Sequence, residues 1–125
     1  MSSGKLSVER DGPIGYVVLD NPARRNAISA AMWREFPEVL AELGEDPSVR
    51  CIVLRGAGDI AFAAGADISE FGKPRAPDMM TLPALLTYMD TVTKPIVAAI
   101  HGFAMGGGLE LALTCHYRVA MPATK

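Results

Sequence analysis

The sequence has little charge of either excess sign. Twelve Lys and Arg stand against fourteen Asp and Glu, a formal net charge of -2. No basic cluster interrupts that balance, so nothing in it makes an electrostatic case for nucleic acid. Cysteine is equally scarce. Cys51 and Cys115 sit in apolar runs without metal-ligand spacing, which argues against a disulfide framework or a metal site. Reduced, buried thiols in a reducing compartment are expected instead. Long hydrophobic runs are missing as well. The most apolar span, 95–109, is broken by His101, is ended by Glu110, and is too short and glycine-rich for a membrane helix. Residues 1–11 (MSSGKLSVERD) lack an apolar h-region and a small-residue cleavage pattern, so no secretory signal is expected and a cytoplasmic location is. What is left is an ordinary globular composition, half hydrophobic and 21 % charged, at a length of 125 residues that fits one domain with one sizeable core.

The most informative stretch is 94–115, KPIVAAIHGFAMGGGLELALTC. A short β-branched run containing Ile96, Val97 and Ile100 tightens into Gly106, Gly107 and Gly108. A glycine triplet after a strand lets backbone come close to a ligand, because no Cβ blocks the approach. A helix beginning there would point its first, internally unpaired N–H groups at that ligand. Glu110 follows among Leu109, Leu111, Ala112 and Leu113. A carboxylate in such company is costly unless paired or used. The stretch reads as a small-molecule site with backbone donors and one acid/base group.

Taken in order, 6–10 and 14–20 read as two strands joined by a turn at Asp11-Gly12-Pro13, and Asn21-Pro22 stops the second. The segment 23–29 (ARRNAIS) is a loop with two adjacent arginines, ending in Ser29 as a helix N-cap. Met32, Phe36, Val39, Leu40 and Leu43 follow at helical spacing, and Gly44 gives a stop signal. Pro37 opposes that helix: an interior proline costs about 3 kcal/mol. Either the helix kinks there or its packed face outweighs the cost. Residues 50–55 (RCIVLR) form a third strand, expected to be buried on both faces. A loop over 56–65 leads into one short helical turn at 66–71 and a linker-like 72–77. Leu82, Leu85, Leu86 and Met89 mark a second amphipathic helix over 81–90. A strand at 96–100, the glycine turn, a helix to about Cys115 and a last strand at 117–120 complete the order β-β-α-β-(short α)-α-β-α-β. Such alternation implies an α/β protein with helices covering a largely parallel sheet.

Several motifs compete for a role. Residues 56–61 contain G-x-G-x-x-A after a strand, the weak form of a dinucleotide fingerprint. Gly65 arrives before a helix could run and no strand-terminal acid lies at the right distance, so a plain turn is the better reading than a nucleotide-binding domain. Ala63-Ala64-Gly65-Ala66-Asp67 is a second run of small residues entering a turn. Facing the glycine triplet, it could aim a second N–H at one oxygen, which would make an oxyanion hole. Each turn alone is ordinary tight packing, and spacing does not show that they meet. Glu110 could equally be a helix-N-terminal carboxylate satisfied by backbone donors. His101 and His116 lack a nucleophile context and read as core or surface histidines, His116 late in a helix. Asp67 reads as a turn cap. Arg24 and Arg25 read as a solvated pair that a phosphate-bearing ligand would use. The methionines at 79, 80 and 89 read as packing.

Together these motifs resemble a known family. Asn21-Pro22 through Asn26-Ala27, the run AFAAGADI at 61–68, and KPIVAAI at 94–100 with Gly102 and GGGLELAL are similar to the enoyl-CoA hydratase/isomerase (crotonase) superfamily. The resemblance covers nearly the whole chain in the right order. The last segment also resembles the hydratase part of bifunctional fatty-acid oxidation enzymes. It implies an α/β, crotonase-like spiral of β-β-α units, incomplete at its C-terminal end, with 1–125 the N-terminal portion of a single domain. It also implies a soluble lyase of fatty acid metabolism that assembles as a trimer-based homo-oligomer. The implied substrate is an acyl-CoA thioester, coenzyme A entering with it and no separate cofactor being needed. By motif position Ala66 and Gly107 become the two oxyanion-hole donors and Glu110 the first of two catalytic glutamates. Arg24, Arg25 and Ala27 fall near the nucleotide and pantetheine, and Ala64, Asp67 and Ile68 along the acyl and thioester pocket. The implied reaction adds water to a 2-enoyl-CoA. The second glutamate has no counterpart in these 125 residues, so this polypeptide alone is expected to be inactive. The alternatives are a double-bond isomerase or other crotonase-type lyase, and a non-catalytic module that binds CoA esters.

Overall fold

The computed structural model describes residues 4–65, 89, 91–104, 111–113 and 115–122. The chain starts with an antiparallel pair, β1 (Lys5–Asp11) and β2 (Ile14–Asp20), in which Asp11 pairs with Ile14 across a two-residue Gly12-Pro13 turn. Both strands reach to the turn, so β1 is one residue longer at each end than the apolar pattern predicts. Strand β2 buries Val17, Val18 and Leu19. A 3-10 turn at Pro22–Arg24 then redirects the chain.

Helix α1 (Ala30–Glu45) begins where the sequence predicts. The Ser29 hydroxyl accepts from the Met32 N–H at 3.3 Å, satisfying one otherwise orphaned donor. The helix runs unbroken through Pro37. Met32, Trp33, Phe36, Val39, Leu40 and Leu43 are buried. At about 1.5–3 kcal/mol for each large apolar side chain, that face outweighs the roughly 3 kcal/mol penalty of the proline. The C-terminal end is tied down from elsewhere in the chain: Lys94 Nζ donates to the Leu43 and Asp46 carbonyls at 2.8 and 2.6 Å. A cation on the last carbonyls also opposes the negative end of the helix dipole.

Strand β3 (Cys51–Gly56) pairs parallel to β2, β5 (Ile96–Ile100) parallel to β3, and β7 (Tyr117–Ala120) parallel to β5. The five-stranded order is β1-β2-β3-β5-β7. One face of this sheet, from Val17, Leu19, Ile52, Leu54, Ile96 and Ala98, forms the core with α1. The both-face burial expected for 50–55 is corrected: β3 alternates buried and half-buried residues, and its Arg55 points outward to pair with Glu9 at 2.6 Å. Its other face, Cys51, Val53 and Arg55, is half-buried.

The segment 56–65 is not simply a loop. It contains β4 (Ala61–Ala63), fully buried, which pairs parallel with β6 (Phe103–Ala104) in a separate two-stranded sheet. Neither strand is long enough to announce itself by periodicity. His116 does not lie late in a helix. It occupies a bend before β7, and its Nδ1 accepts the Ile96 N–H at 2.9 Å. Residues 111–113 are helical, and Arg118 Nη1 donates to the Leu113 and Cys115 carbonyls at that helix's end. Cys115 is buried, as expected, and burial pushes its thiol up to about 12. Cys51 is half-buried and also free. The short turn at 66–71, the linker at 72–77 and the helix over 81–90 lie outside the described residues. Met89 is the exception, helical and 2 % exposed. Among the described residues, no helix is long and apolar enough to cross a membrane.

Candidate active site

Tight approach of three backbone segments builds the region to which the motifs point. A Cβ on Gly56 would overlap the carbonyl oxygens of Ala61 and Phe62. Gly56 therefore serves close packing of β3 against β4, and the G-x-G-x-x-A run is the plain turn expected. Gly102, at φ +61, lets the chain leaving β5 press against 60–61, where a Cβ would overlap the Ile60 carbonyl. The Phe103 N–H then donates to the Ile60 carbonyl at 3.3 Å. These contacts set β4 and β6 side by side, with Ala61 opposite Phe103 and Ala63 opposite Ala104. Paired strands lie about 4.8 Å apart. Being parallel, both strands deliver the chain to the same end. In sequence, the two small-residue runs come next: Ala64-Gly65-Ala66 after β4, and Gly106–Gly108 beginning two positions after Ala104.

Ala66, Asp67, Ile68, Gly107 and Glu110, five of the sequence-derived site residues, lie outside the described residues. Arg24, Arg25, Ala27 and Ala64 are described. Arg24 and Arg25 are exposed, on and just after the 3-10 turn that follows β2. The Arg25 guanidinium lies 5.1 Å from the centre of the Phe103 ring, a cation–π contact reaching from this loop to β6. Ala27 is buried. Its N–H donates to the Arg24 carbonyl at 3.0 Å and its carbonyl accepts from Asn21 Nδ2 at 2.8 Å. Ala64 is half-buried, its N–H donating to the Arg25 carbonyl at 3.1 Å. The arginine loop and the residue after β4 are thus in direct contact, although nearly 40 positions separate Arg25 from Ala64 in the chain.

Sequence reasoning passed over the two residues that hold this contact. Asn21 and Asn26 are 4 % and 1 % exposed, and both side chains hydrogen-bond to backbone groups. The sequence shows Asn21-Pro22 as a strand stop and, together with Asn26, as part of the family motif. The available signal was the asparagine itself, which among non-glycine residues enters the left-handed region most readily. His101 was expected in the core or on the surface. Its Nε2 is buried without a hydrogen-bond partner among the described residues, and the residue lines a recess of about 240 Å³ with Arg55, Gly58 and Met121 at the ends of β3, β5 and β7. Among the described residues, no group of three or more His, Cys, Asp or Glu could hold a metal.

Comparison with known proteins gives this arrangement a lineage. Residues 9–124 match the family model described as enoyl-CoA hydratase/isomerase. A short-chain-enoyl-CoA hydratase from Clostridium acetobutylicum is 32 % identical over 96 % of this chain and 48 % of its own length. A crotonyl-CoA hydratase from Syntrophomonas wolfei is 30 % identical over 100 % of this chain and 50 % of its own. The crystal structure of an enoyl-CoA hydratase/carnithine racemase from Magnetospirillum magneticum, 37 % identical, matches with a TM-score of 0.85 over 95 % of this chain and 47 % of that one. The chain therefore spans about half the length of the relatives it matches. With the motifs, the parallel β2-β3-β5-β7 sheet and the β4–β6 pair all in agreement, the chain belongs to the enoyl-CoA hydratase/isomerase family of the crotonase superfamily.

Proposed function

We propose that this chain is the N-terminal portion of an enoyl-CoA hydratase, which adds water across the double bond of a 2-enoyl-CoA. The observation that carries the reading is the parallel pairing of β4 with β6. It brings to one place the strands that lead into both small-residue turns, a juxtaposition that sequence spacing could not supply. In this reading the Ala66 and Gly107 N–H groups both donate to the thioester oxygen. As water oxygen bonds to C3, the electrons of the double bond move toward the carbonyl, and negative charge builds on that oxygen. Two donors fixed in advance stabilise this charge without having to reorganise, and one such donor is typically worth about 2.7–4 kcal/mol. Glu110, with a second carboxylate from outside these residues, holds the water, takes its proton and returns one to C2. The exposed Arg24 and Arg25 suit the phosphates of coenzyme A, for which a guanidinium fork is a good match. Ala64, Asp67 and Ile68 line the thioester and acyl end. No separate cofactor is needed, because the thioester is already polarised by its own carbonyl.

The test is Glu110→Gln in the full-length protein. Hydration of a short 2-enoyl-CoA should fall by about 100-fold or more, while calorimetric binding of a saturated acyl-CoA stays close to wild type. Turnover near the wild-type rate would remove Glu110 from the chemistry. A product with a shifted double bond and no added water would move the reading to an isomerase.

A further inference from the structure

Residues 21–28 form a strap whose backbone would not hold its shape unaided. Arg25 and Asn26 both have positive φ, 53° and 59°, a region that side chains with a Cβ enter reluctantly. Two such residues in succession persist only where the surroundings over-determine them. Here the surroundings are the Asn26 side chain. Its Oδ1 accepts the Asn21 N–H at 2.9 Å, and its Nδ2 donates to the Ala61 carbonyl at 2.7 Å and the Ala57 carbonyl at 3.0 Å. Its own N–H donates to the Asn21 carbonyl at 2.8 Å. Gly56 leaves room for this amide, since a Cβ there would lie 2.8 Å from Asn26 Nδ2. One side chain therefore joins the strap to both ends of the turn that enters β4.

The strap in turn holds the residues that leave β4. The Ala64 N–H donates to the Arg25 carbonyl at 3.1 Å, and the Ile28 N–H donates to the Gly65 carbonyl at 2.7 Å. The second bond matters most. It fixes the carbonyl of Gly65, the last described residue before position 66.

We propose that Asn26 is a positioning residue for catalysis: it locks the strap onto β4 so that the Ile28 N–H holds the Gly65 carbonyl, the group that in sequence immediately precedes the donor proposed at position 66. This rests on the hydratase reading above. It also explains why the position carries asparagine. Aspartate would set a second carboxylate oxygen against the carbonyls of Ala57 and Ala61, and an apolar residue would leave those carbonyls and the Asn21 N–H unpaired. The same lock joins the loop bearing Arg24 and Arg25 to the donor turn, so a ligand gripped by one is registered against the other.

The decisive variant is Asn26→Gly in the full-length protein, because glycine accepts the left-handed backbone and removes only the side chain. Three quantities are measured: kcat for hydration of a short 2-enoyl-CoA, the Kd of a saturated acyl-CoA, and the infrared stretch of a 13C-labelled thioester carbonyl in the bound ligand. Misaiming a donor by a fraction of its bond length should lower kcat by about 100-fold. The Kd should remain near wild type, and the carbonyl stretch should move back toward its value in water. Asn26→Asp should not rescue any of these. A lowered melting temperature with wild-type kcat and an unchanged stretch would reduce Asn26 to a structural residue and overturn the proposal. Should Asn26→Gly fail to fold, amide exchange in the wild type decides: the Ile28 and Ala64 N–H groups should exchange slowly and together when acyl-CoA is bound, and rapid exchange at Ile28 would overturn it. A wild-type protein that neither hydrates the substrate nor shifts its carbonyl removes the hydratase reading itself. A wild type that hydrates, beside an equally active Asn26→Gly, removes only the positioning role.

Discussion

A single hydrogen atom in place of a side chain decides where β6 lies. Gly102 combines a φ of +61° with backbone contact to Ile60, so any Cβ there meets both a strained conformation and an overlap with a carbonyl oxygen that cannot step aside. Gly102→Ala should therefore lower stability by at least about 2 kcal/mol, read as the shift in a urea midpoint at constant slope. It should also depress turnover, because the β4–β6 pairing on which the proposed function rests depends on it. A variant of unchanged stability would show that the chain can leave β5 by another path. The sequence showed Gly102 only as part of a motif, for its reason is a neighbour some 40 positions away, which spacing does not encode. Asn26 showed only as part of a motif on the same ground: its side-chain partners are backbone groups, two of them the distant Ala57 and Ala61 carbonyls, and backbone partners are not legible in a sequence.

At the scale of elements, the features that depend on local chemistry were readable and those that depend on distant pairing were not. The Ser29 cap, the buried face of α1, the hairpin and strands β5 and β7 all follow from residues within a few positions of one another. Strands β4 and β6 have three and two residues, too few for any period, and exist because each pairs with the other. Between these extremes is the end of α1. Asp46 follows the helix and bonds the Ser48 hydroxyl at 2.7 Å, the Ser48 N–H at 2.9 Å and Arg10 Nε of β1 at 3.0 Å. Ser48's hydroxyl and N–H, and then the Arg10 guanidinium, hold its carboxyl down at about 2, against an ordinary 3.8. A depressed folded-state pKa means that the native state binds this proton less readily than the unfolded one. The stabilisation is therefore present above about pH 3.8 and is lost as pH falls through about 2. Urea midpoints of wild type and Asp46→Asn should differ at pH 5 and converge by pH 2. A gap that is the same at both would place the effect of Asp46 elsewhere than in its charge.

At the scale of the whole molecule, the parallel sheet ends at β7, whose four residues are all exposed. Tyr117 and Val119 are 67 % and 62 % exposed on one face of it, opposite the half-buried Val97 and Ala99 of β5. The fold class was legible because alternating strands and helices leave few ways to cover a sheet. The site was legible in part. Small-residue runs and one acidic residue led to the expectation of a backbone-lined pocket, and the fold adds the parallel β4–β6 pair, whose strands precede those runs, and the asparagine-locked strap that joins the arginine loop to the chain beside β4. The central claim is that this arrangement serves hydration. Its most direct test is to incubate the full-length protein with a short 2-enoyl-CoA and follow the thioester by mass spectrometry. Gain of one water, with the hydroxyl on C3, is the result expected. Tight binding of the thioester with its mass and double bond unchanged would contradict the account and leave a CoA-ester-binding module instead.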